Sequence, residues 1–367
     1  MPAAAMSGDR VRELVRAEVL AMRAYHAPPA DGMVKLDAME SSWQLPDALR
    51  RDWLARLAEV EINRYPDPAC AELKTRIREE LGIEDAHGLV LGNGSDELIQ
   101  MIALLVGGGG GGGGGRVLLS PAPSFSMYPL IAAAVGAQFE AAPLREDFAL
   151  DRAAFCEAIR ARRPACVFLA HPNNPSGNCF DEDAILEALA LAPGLVVIDE
   201  AYFSFCHRSF LPRLKEFPHL LVLRTFSKSG LAGLRLGMLI GDSQWTEQLE
   251  KIRLPYNINS LTQCSAAFYL EHAELMRREA EACVARREKM FAQLAEMPGV
   301  RAYPSEANFI LFRVNDAGET HRRLCARGVL IKNLHAAGTL LENCLRVSIG
   351  AETENRAFIK ALGESLR

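Results

Sequence analysis

Four stretches of this chain place chemically able side chains directly after short apolar runs. Asp199, Glu200 and Tyr202 follow Leu195 to Ile198. Thr225, Ser227 and Lys228 follow Leu221 to Leu223, and a glycine-rich turn then runs to Arg235. Gly94, Ser95 and Asp96 follow Leu89 to Leu91 and open an apolar helix, a layout that offers backbone N–H groups and a positive helix end to an anion. His171, Asn173 and Asn174 follow Val167 to Leu169. If these runs are strands of one parallel sheet, a carboxylate, a phenol, a primary amine and an anion seat converge, because open parallel sheets bind ligands at their strands' carboxyl ends. Singly, each has a plain structural reading: a surface lysine, a helix cap, a proline turn. Their order along the chain says more than any one of them.

The elements that must hold these residues are legible in outline. Between about residues 88 and 260, apolar runs at 89–91, 117–119, 167–169, 195–198, 221–223 and 238–240 alternate with helical patterns. That alternation predicts an α/β fold, a mainly parallel sheet with helices on both faces. From about 265 the texture changes to a long charged amphipathic helix through Met290, strands at 308–314 and 345–349, and a closing helix, which fits a smaller α+β domain. Helices are expected at 49–57 and 71–81, around the turn-rich stretch at 63–68. Val11, Leu14, Val15, Val19 and Met22 keep helical spacing and predict one N-terminal helix ending near Tyr25, assigned with the smaller domain. The expected division is 46–265 for the large domain, with 1–45 and 266–367 forming the small one. The nine glycines from Gly107 to Gly115 lead into Arg116 and Val117 rather than Gly-Lys-Ser/Thr, so they read as a flexible loop expansion and not a phosphate loop.

Composition narrows the function classes. With 367 residues, 49% hydrophobic and 24% charged, the chain is an ordinary globular protein. Lys plus Arg number 41 against 46 Asp plus Glu, and no basic run stands out, so charge gives nucleic-acid binding no support. No apolar run nears the ~20 residues that span a bilayer, the N-terminus lacks the pattern of a secretory leader, and nine Cys without C-x-x-C spacing suggest thiols rather than disulfides or zinc. A cytoplasmic location is expected, and no metal.

The ordered set resembles the fold-type I pyridoxal-phosphate aminotransferases, and within them the histidinol-phosphate aminotransferases, from Lys35 to Glu40, through Tyr65 to Pro68, to Leu345 to Gly350. The resemblance implies a seven-stranded, mainly parallel sheet plus a smaller α+β domain, and pyridoxal 5'-phosphate as cofactor. It assigns Lys228 to the imine with the cofactor aldehyde and to moving the Cα proton, Asp199 to the pyridine nitrogen, and Tyr202 and Asn174 to the ring oxygen. Phe125 would stack on the ring. Gly94, Ser95, Asp96, Thr225, Ser227 and Arg235 would hold the phosphate, joined by Tyr65 from a neighbouring subunit, which implies a homodimer. Arg346 would take the substrate anion with a bidentate fork, and Tyr25, Lys332 and Glu40 would lie at the substrate.

The implied reaction is a ping-pong transfer between L-histidinol phosphate with 2-oxoglutarate and imidazole-acetol phosphate with glutamate, in histidine biosynthesis; small molecules are the expected partners. Two departures stand out: six residues rather than seven separate Lys228 from Arg235, and Glu40-Ser41-Ser42-Trp43 replaces the family's Glu-Asn-Pro-aromatic. An aromatic or broad-range aminotransferase is the alternative, followed by a phospho-amino-acid decarboxylase and a non-catalytic relative acting as an interaction protein. His171 is expected to stay neutral beside the site.

Overall fold

A computed structural model describes residues 8–24, 28–107 and 116–367. Tyr25 and all but the first glycine of the run at 107–115 lie outside the described residues. In chain order the elements are helices α1 (Gly8–Leu14) and α2 (Ala17–Ala21), strand β1 (Val34–Leu36), α3 (Asp47–Ala58), α4 (Ala71–Leu81), β2 (His87–Asn93), α5 (Ser95–Gly107), β3 (Val117–Ala122), α6 (Met127–Val135), β4 (Gln138–Pro143), α7 (Arg152–Arg162), β5 (Cys166–Ala170), α8 (Glu182–Leu191), β6 (Leu195–Asp199), α9 (Phe203–Cys206) and β7 (Leu220–Thr225). After the tight turn Ser227–Leu231 come β8 (Leu236–Asp242), α10 (Ser243–Ile252), α11 (Ser260–Leu270), α12 (Ala273–Ala295), β9 (Arg301–Ala302), β10 (Phe309–Arg313), α13 (Ala317–Ala326), β11 (Val329–Asn333), β12 (Cys344–Ser348) and α14 (Glu352–Ser365).

Seven strands form one sheet in the order β2-β8-β7-β6-β5-β3-β4, with β8 antiparallel to both neighbours and the other pairs parallel. The strands read as continuous apolar runs because both faces are covered. Val167, Leu169, Val196 and Ile198 join one core with Leu73 and Ile77 of α4 and Phe155 of α7. The intervening Phe168 and Val197 join the other, with Leu98 and Ile102 of α5 and Tyr128 of α6. A five-stranded sheet, β1-β11-β12-β10-β9, packs its own core of Phe309, Leu345, Val347, Met290 and Phe358.

The structure departs from the sequence reading in three places. The single N-terminal helix is two short ones, split at residues 15–16, and the Arg16 guanidinium donates to the Ala134 carbonyl of α6. This end therefore leans on the large sheet's helices, and only β1 joins the smaller sheet, by pairing with β11. Val11 and Leu14 stay exposed, so their spacing marked helix without marking core. The long helix after residue 265 is interrupted between α11 and α12. The polar edge strand β4 and the short β1 and β9 escaped notice, because an edge strand buries too little to show an apolar run, and so did the interior β11, whose buried stretch is only Val329 to Ile331.

Immediately beyond the carboxyl end of β6, Glu200 accepts from Arg224 Nε at 2.9 Å, Ser209 Oγ at 3.0 Å and the Phe210 amide at 2.6 Å. The Arg224 guanidinium also lies 3.7 Å from the Phe203 ring centroid. Both ions are buried, and the pair ties the end of β7 to the segment that starts α9. Glu200→Ala strands a buried guanidinium, and the expected loss is about 3–5 kcal/mol. A urea unfolding curve should show a lowered midpoint at unchanged slope.

Candidate active site

Asp199 ends β6 and is 4% exposed. Its Oδ2 accepts from the Tyr128 hydroxyl at 2.8 Å and its Oδ1 from the Ala201 amide at 3.1 Å. Both donors are neutral, and among the described residues no cation pairs with this carboxylate. Burial pushes its pKa up to about 6, with the Tyr128 hydrogen bond opposing. Sequence reasoning missed Tyr128; the available signal was one hydroxyl in an otherwise apolar helix, three residues after Phe125. Phe125 sets its ring edge-on to Tyr128, centroids 5.5 Å apart.

Lys228 follows β7 in the tight turn Ser227–Leu231. Its ammonium donates to the Ala38 carbonyl at 3.4 Å, a weak tether. Burial first, and then the Arg346 charge, bring its pKa down to about 8, so a good fraction of the amine is neutral at pH 7–8. Gly230, two residues on, has φ +104°, and a Cβ there would stand 3.3 Å from the Trp43 ring, so this turn is built around glycine.

Tyr202 and Asn174 meet: the Asn174 amide donates to the phenol oxygen at 3.1 Å, and the phenol donates to Met39 Sδ at 3.1 Å. Burial holds the phenol well above its usual range, so it stays protonated. Asn174 Oδ1 in turn accepts from Arg346 Nη1, while Arg346 Nη2 donates to the Asp37 carbonyl at 3.1 Å. Lys332 stands directly across from Arg346 in the antiparallel β11–β12 ladder, so the two cations share a face. The segment from Asp37 to Met39 is a strap over the site that sequence reasoning did not find. Its three carbonyls accept from Arg346, Lys228 and Asn308, and Met39 turns with φ +55°.

At the start of α5, Gly94 has φ +84°, and a Cβ there would lie 2.4 Å from Arg235 Nη2. The Arg235 guanidinium therefore covers the helix's first amides, paired to Asp96 at 3.3 Å. The shortened turn still delivers it there. Thr225 Oγ1 donates to Ser227 Oγ at 2.9 Å and accepts from the Ser227 amide at 3.1 Å. Glu40 is exposed and paired with Lys35. Tyr65 is 80% exposed, its ring stacked on Tyr256 at 4.4 Å, and among the described residues it makes no hydrogen bond or ring contact with the cluster. His171 is buried, its pKa pushed down to about 4, and its Nδ1 accepts from the Phe180 amide at 3.3 Å, so it is neutral as expected.

These residues fit pyridoxal phosphate on structural grounds. Asp199 is a buried anion lacking the cation that a protonated pyridine nitrogen would supply. The Gly94–Arg235 cradle offers helix amides, hydroxyls and a guanidinium to a phosphate, and a side chain at residue 94 would fill it. The Lys228 amine is poised for an aldehyde.

The family profile described as "Aminotransferase class I and II" matches residues 33–362. Histidinol-phosphate aminotransferase 2 of Nitrosococcus oceani is 48% identical over 359 residues, covering 97% of this chain and 98% of that protein. The protein of the same name from Cupriavidus pinatubonensis is 45% identical over 362 residues, covering 97% and 98%. The crystal structure of histidinol-phosphate aminotransferase from Sinorhizobium meliloti in complex with pyridoxal-5'-phosphate superposes with a TM-score of 0.84 over 96% of this chain and 98% of that one, at 21% identity, a likeness of fold.

Asp199 yields a pH test in cofactor-free protein. Its folded pKa near 6 exceeds the unfolded value near 3.8, so its carboxyl lowers stability as pH rises from 4 to 6, by up to ~1.4 kcal/mol per unit, and levels off above. Asp199→Asn does not titrate, and its amide can donate to the Tyr128 oxygen. The variant should therefore gain on the native protein in urea midpoint between pH 4 and 6 and hold that gain to pH 8.

Proposed function

Because the chain belongs to the class I and II aminotransferases, a family whose profile spans most of its length, we propose that this pyridoxal-phosphate enzyme exchanges an amino group between L-histidinol phosphate and 2-oxoglutarate. Relatives of that name, 42–48% identical over almost the whole chain, support the substrate. One observation in the site carries the reading further: Lys332 beside Arg346 makes a dicationic face, and a phosphate monoester is the substrate group that uses both charges. Glutamate's carboxylate, bound in the other half of the ping-pong cycle, needs only the Arg346 fork.

When bound, pyridoxal phosphate supplies an aldehyde for amine capture and an electron sink for the charge left at the substrate's Cα. Asp199 would pair with the ring nitrogen and keep it protonated, and Tyr128 holds that carboxylate in place. Tyr202 and Asn174 would donate to the ring oxygen, Phe125 would cover the ring face, and Gly94, Ser95, Asp96, Thr225, Ser227 and Arg235 would grip the phosphate. With the group bound, the neutral Lys228 amine would take the substrate's Cα proton and hold it for return, work suited to a group with a pKa near 8. Arg346 and Lys332 bind the substrate's anionic end, with Glu40 at its rim. Tyr65, exposed on one subunit, reaches the phosphate of the other in a homodimer, and nine unpaired thiols suit the cytoplasm.

A broad aromatic specificity is the second reading, favoured by Trp43, whose ring covers Gly230 and meets Tyr269 edge-on at 6.2 Å. A donor panel followed by bleaching of the bound cofactor's absorbance separates the two. Histidinol phosphate and glutamate should each bleach it, and Lys332→Met should raise the KM for histidinol phosphate at least tenfold while moving that for glutamate less than threefold. Bleaching by phenylalanine and tyrosine but not by histidinol phosphate would select the aromatic reading.

A further inference from the structure

Among the nine cysteines, Cys179 and Cys206 are set apart as side-chain neighbours, each thiol the largest influence on the other's proton affinity, and both residues are only half-buried. Cys179 closes the turn that carries Asn174, and Cys206 ends α9, which begins directly after Tyr202. Glu306 ties the two segments together. Its Oε1 accepts from the Cys179 amide at 3.1 Å, and its Oε2 pairs with the Arg208 guanidinium at 3.4 Å. The Arg208 amide points at Cys206 Sγ from 3.5 Å. Cys179 also lines a surface cavity of about 630 Å³ with Arg145, Asp151, Arg152 and Asp181, so a small oxidant can approach the pair from the Cys179 side, and Cys206 is itself only half-buried.

The proton is unevenly shared. The Cys179 thiol, and then the Arg208 amide, hold Cys206 below the usual thiol range against burial and the Glu306 and Glu200 charges, while Cys179 is pushed up. The Arg208 amide aimed at the Cys206 sulfur favours a thiolate there and leaves Cys179 as the neighbouring thiol, the arrangement of an attacking and a resolving cysteine.

We propose that Cys179 and Cys206 form a dithiol that hydroperoxides close to an intramolecular disulfide, stapling the segments that carry Asn174 and Tyr202. The Cys206 thiolate attacks a peroxide oxygen, the O–O bond breaks, and the departing hydroxide takes a proton to leave as water, giving a sulfenic acid. Cys179 sulfur then attacks the sulfenic sulfur, its proton goes to the departing hydroxyl, the S–O bond breaks and a second water leaves. Two thiols lose two electrons to one hydrogen peroxide, which becomes two waters. Closing the sulfurs to ~2.05 Å draws the two segments together. Asn174 and Tyr202 touch at 3.1 Å, and displacements of about 1 Å in an active site can cost ~100-fold in rate.

The test treats the holoenzyme with hydrogen peroxide, blocks remaining thiols, and maps cross-linked peptides by mass spectrometry while following turnover. The expected result is a Cys179–Cys206 peptide pair removed by dithiothreitol, with turnover falling at least fivefold and recovering on reduction. Cys206→Ser should keep its turnover in peroxide and give no cross-link, and Cys179→Ser should leave a sulfenic acid at Cys206 that dimedone traps. Oxidation of other cysteines while this pair stays reduced overturns the proposal, as does a disulfide that leaves turnover unchanged. The turnover arm rests on the aminotransferase reading, but the cross-link does not: an untreated protein with no transaminase activity would sink that reading and leave the dithiol standing.

Discussion

Holding a buried carboxylate and a largely buried amine at neighbouring strand ends is the constraint the rest of the structure serves. Asp199 sits at the end of β6 with only a phenol and an amide to accept from, and Lys228 lies past β7 with one long hydrogen bond to a carbonyl. Each pays for its burial with a pKa moved toward neutrality. That state is poorly stable by itself and well matched to a ligand carrying a cationic ring nitrogen and an aldehyde. The seven-stranded sheet makes it possible, because strands buried on both faces hold their ends in register inside a low-dielectric core.

The smaller sheet contributes the other half of the site. Arg346 on β12 reaches Asn174 after β5, and Asn174 reaches Tyr202 after β6, so one chain of hydrogen bonds joins the two sheets. The strap from Asp37 to Met39 crosses the same junction, offering a carbonyl to Lys228 and another to Arg346. An anion bound at Arg346 would compete directly with those contacts. The buried Glu200–Arg224 pair braces the base of this region, fixing where α9 starts relative to β7.

What the sequence disclosed and what it withheld follow from how each feature is encoded. Two-sided burial writes a strand as an unbroken apolar run, and the polar residue ending it is conspicuous, which is why Asp199, Asn174 and Lys228 stood out as candidates whose roles came only from the family resemblance. The helix at 71–81 was equally plain, bounded by a glycine in left-handed conformation at residue 82. Features made by tertiary contact had no such mark. Tyr128 looks like one more large side chain in an apolar helix until its hydroxyl is placed on Asp199, and nothing local to Asp37, Ala38 and Met39 announces that their carbonyls face Arg346, Lys228 and Asn308. Val11 and Leu14 show the converse, a helical stripe left exposed within the single chain.

The account stands on the Lys228 amine being the group that captures the cofactor. Mixing cofactor-free protein with pyridoxal phosphate at a series of pH values, quenching early with borohydride, and locating the reduced adduct by peptide mapping measures this directly. The account predicts one adduct, on Lys228, whose rate of formation rises with pH as the amine loses its proton and is half-maximal near pH 8. An adduct spread over surface lysines, or one at Lys228 whose rate keeps climbing toward the ordinary lysine range near 10.5, would contradict it.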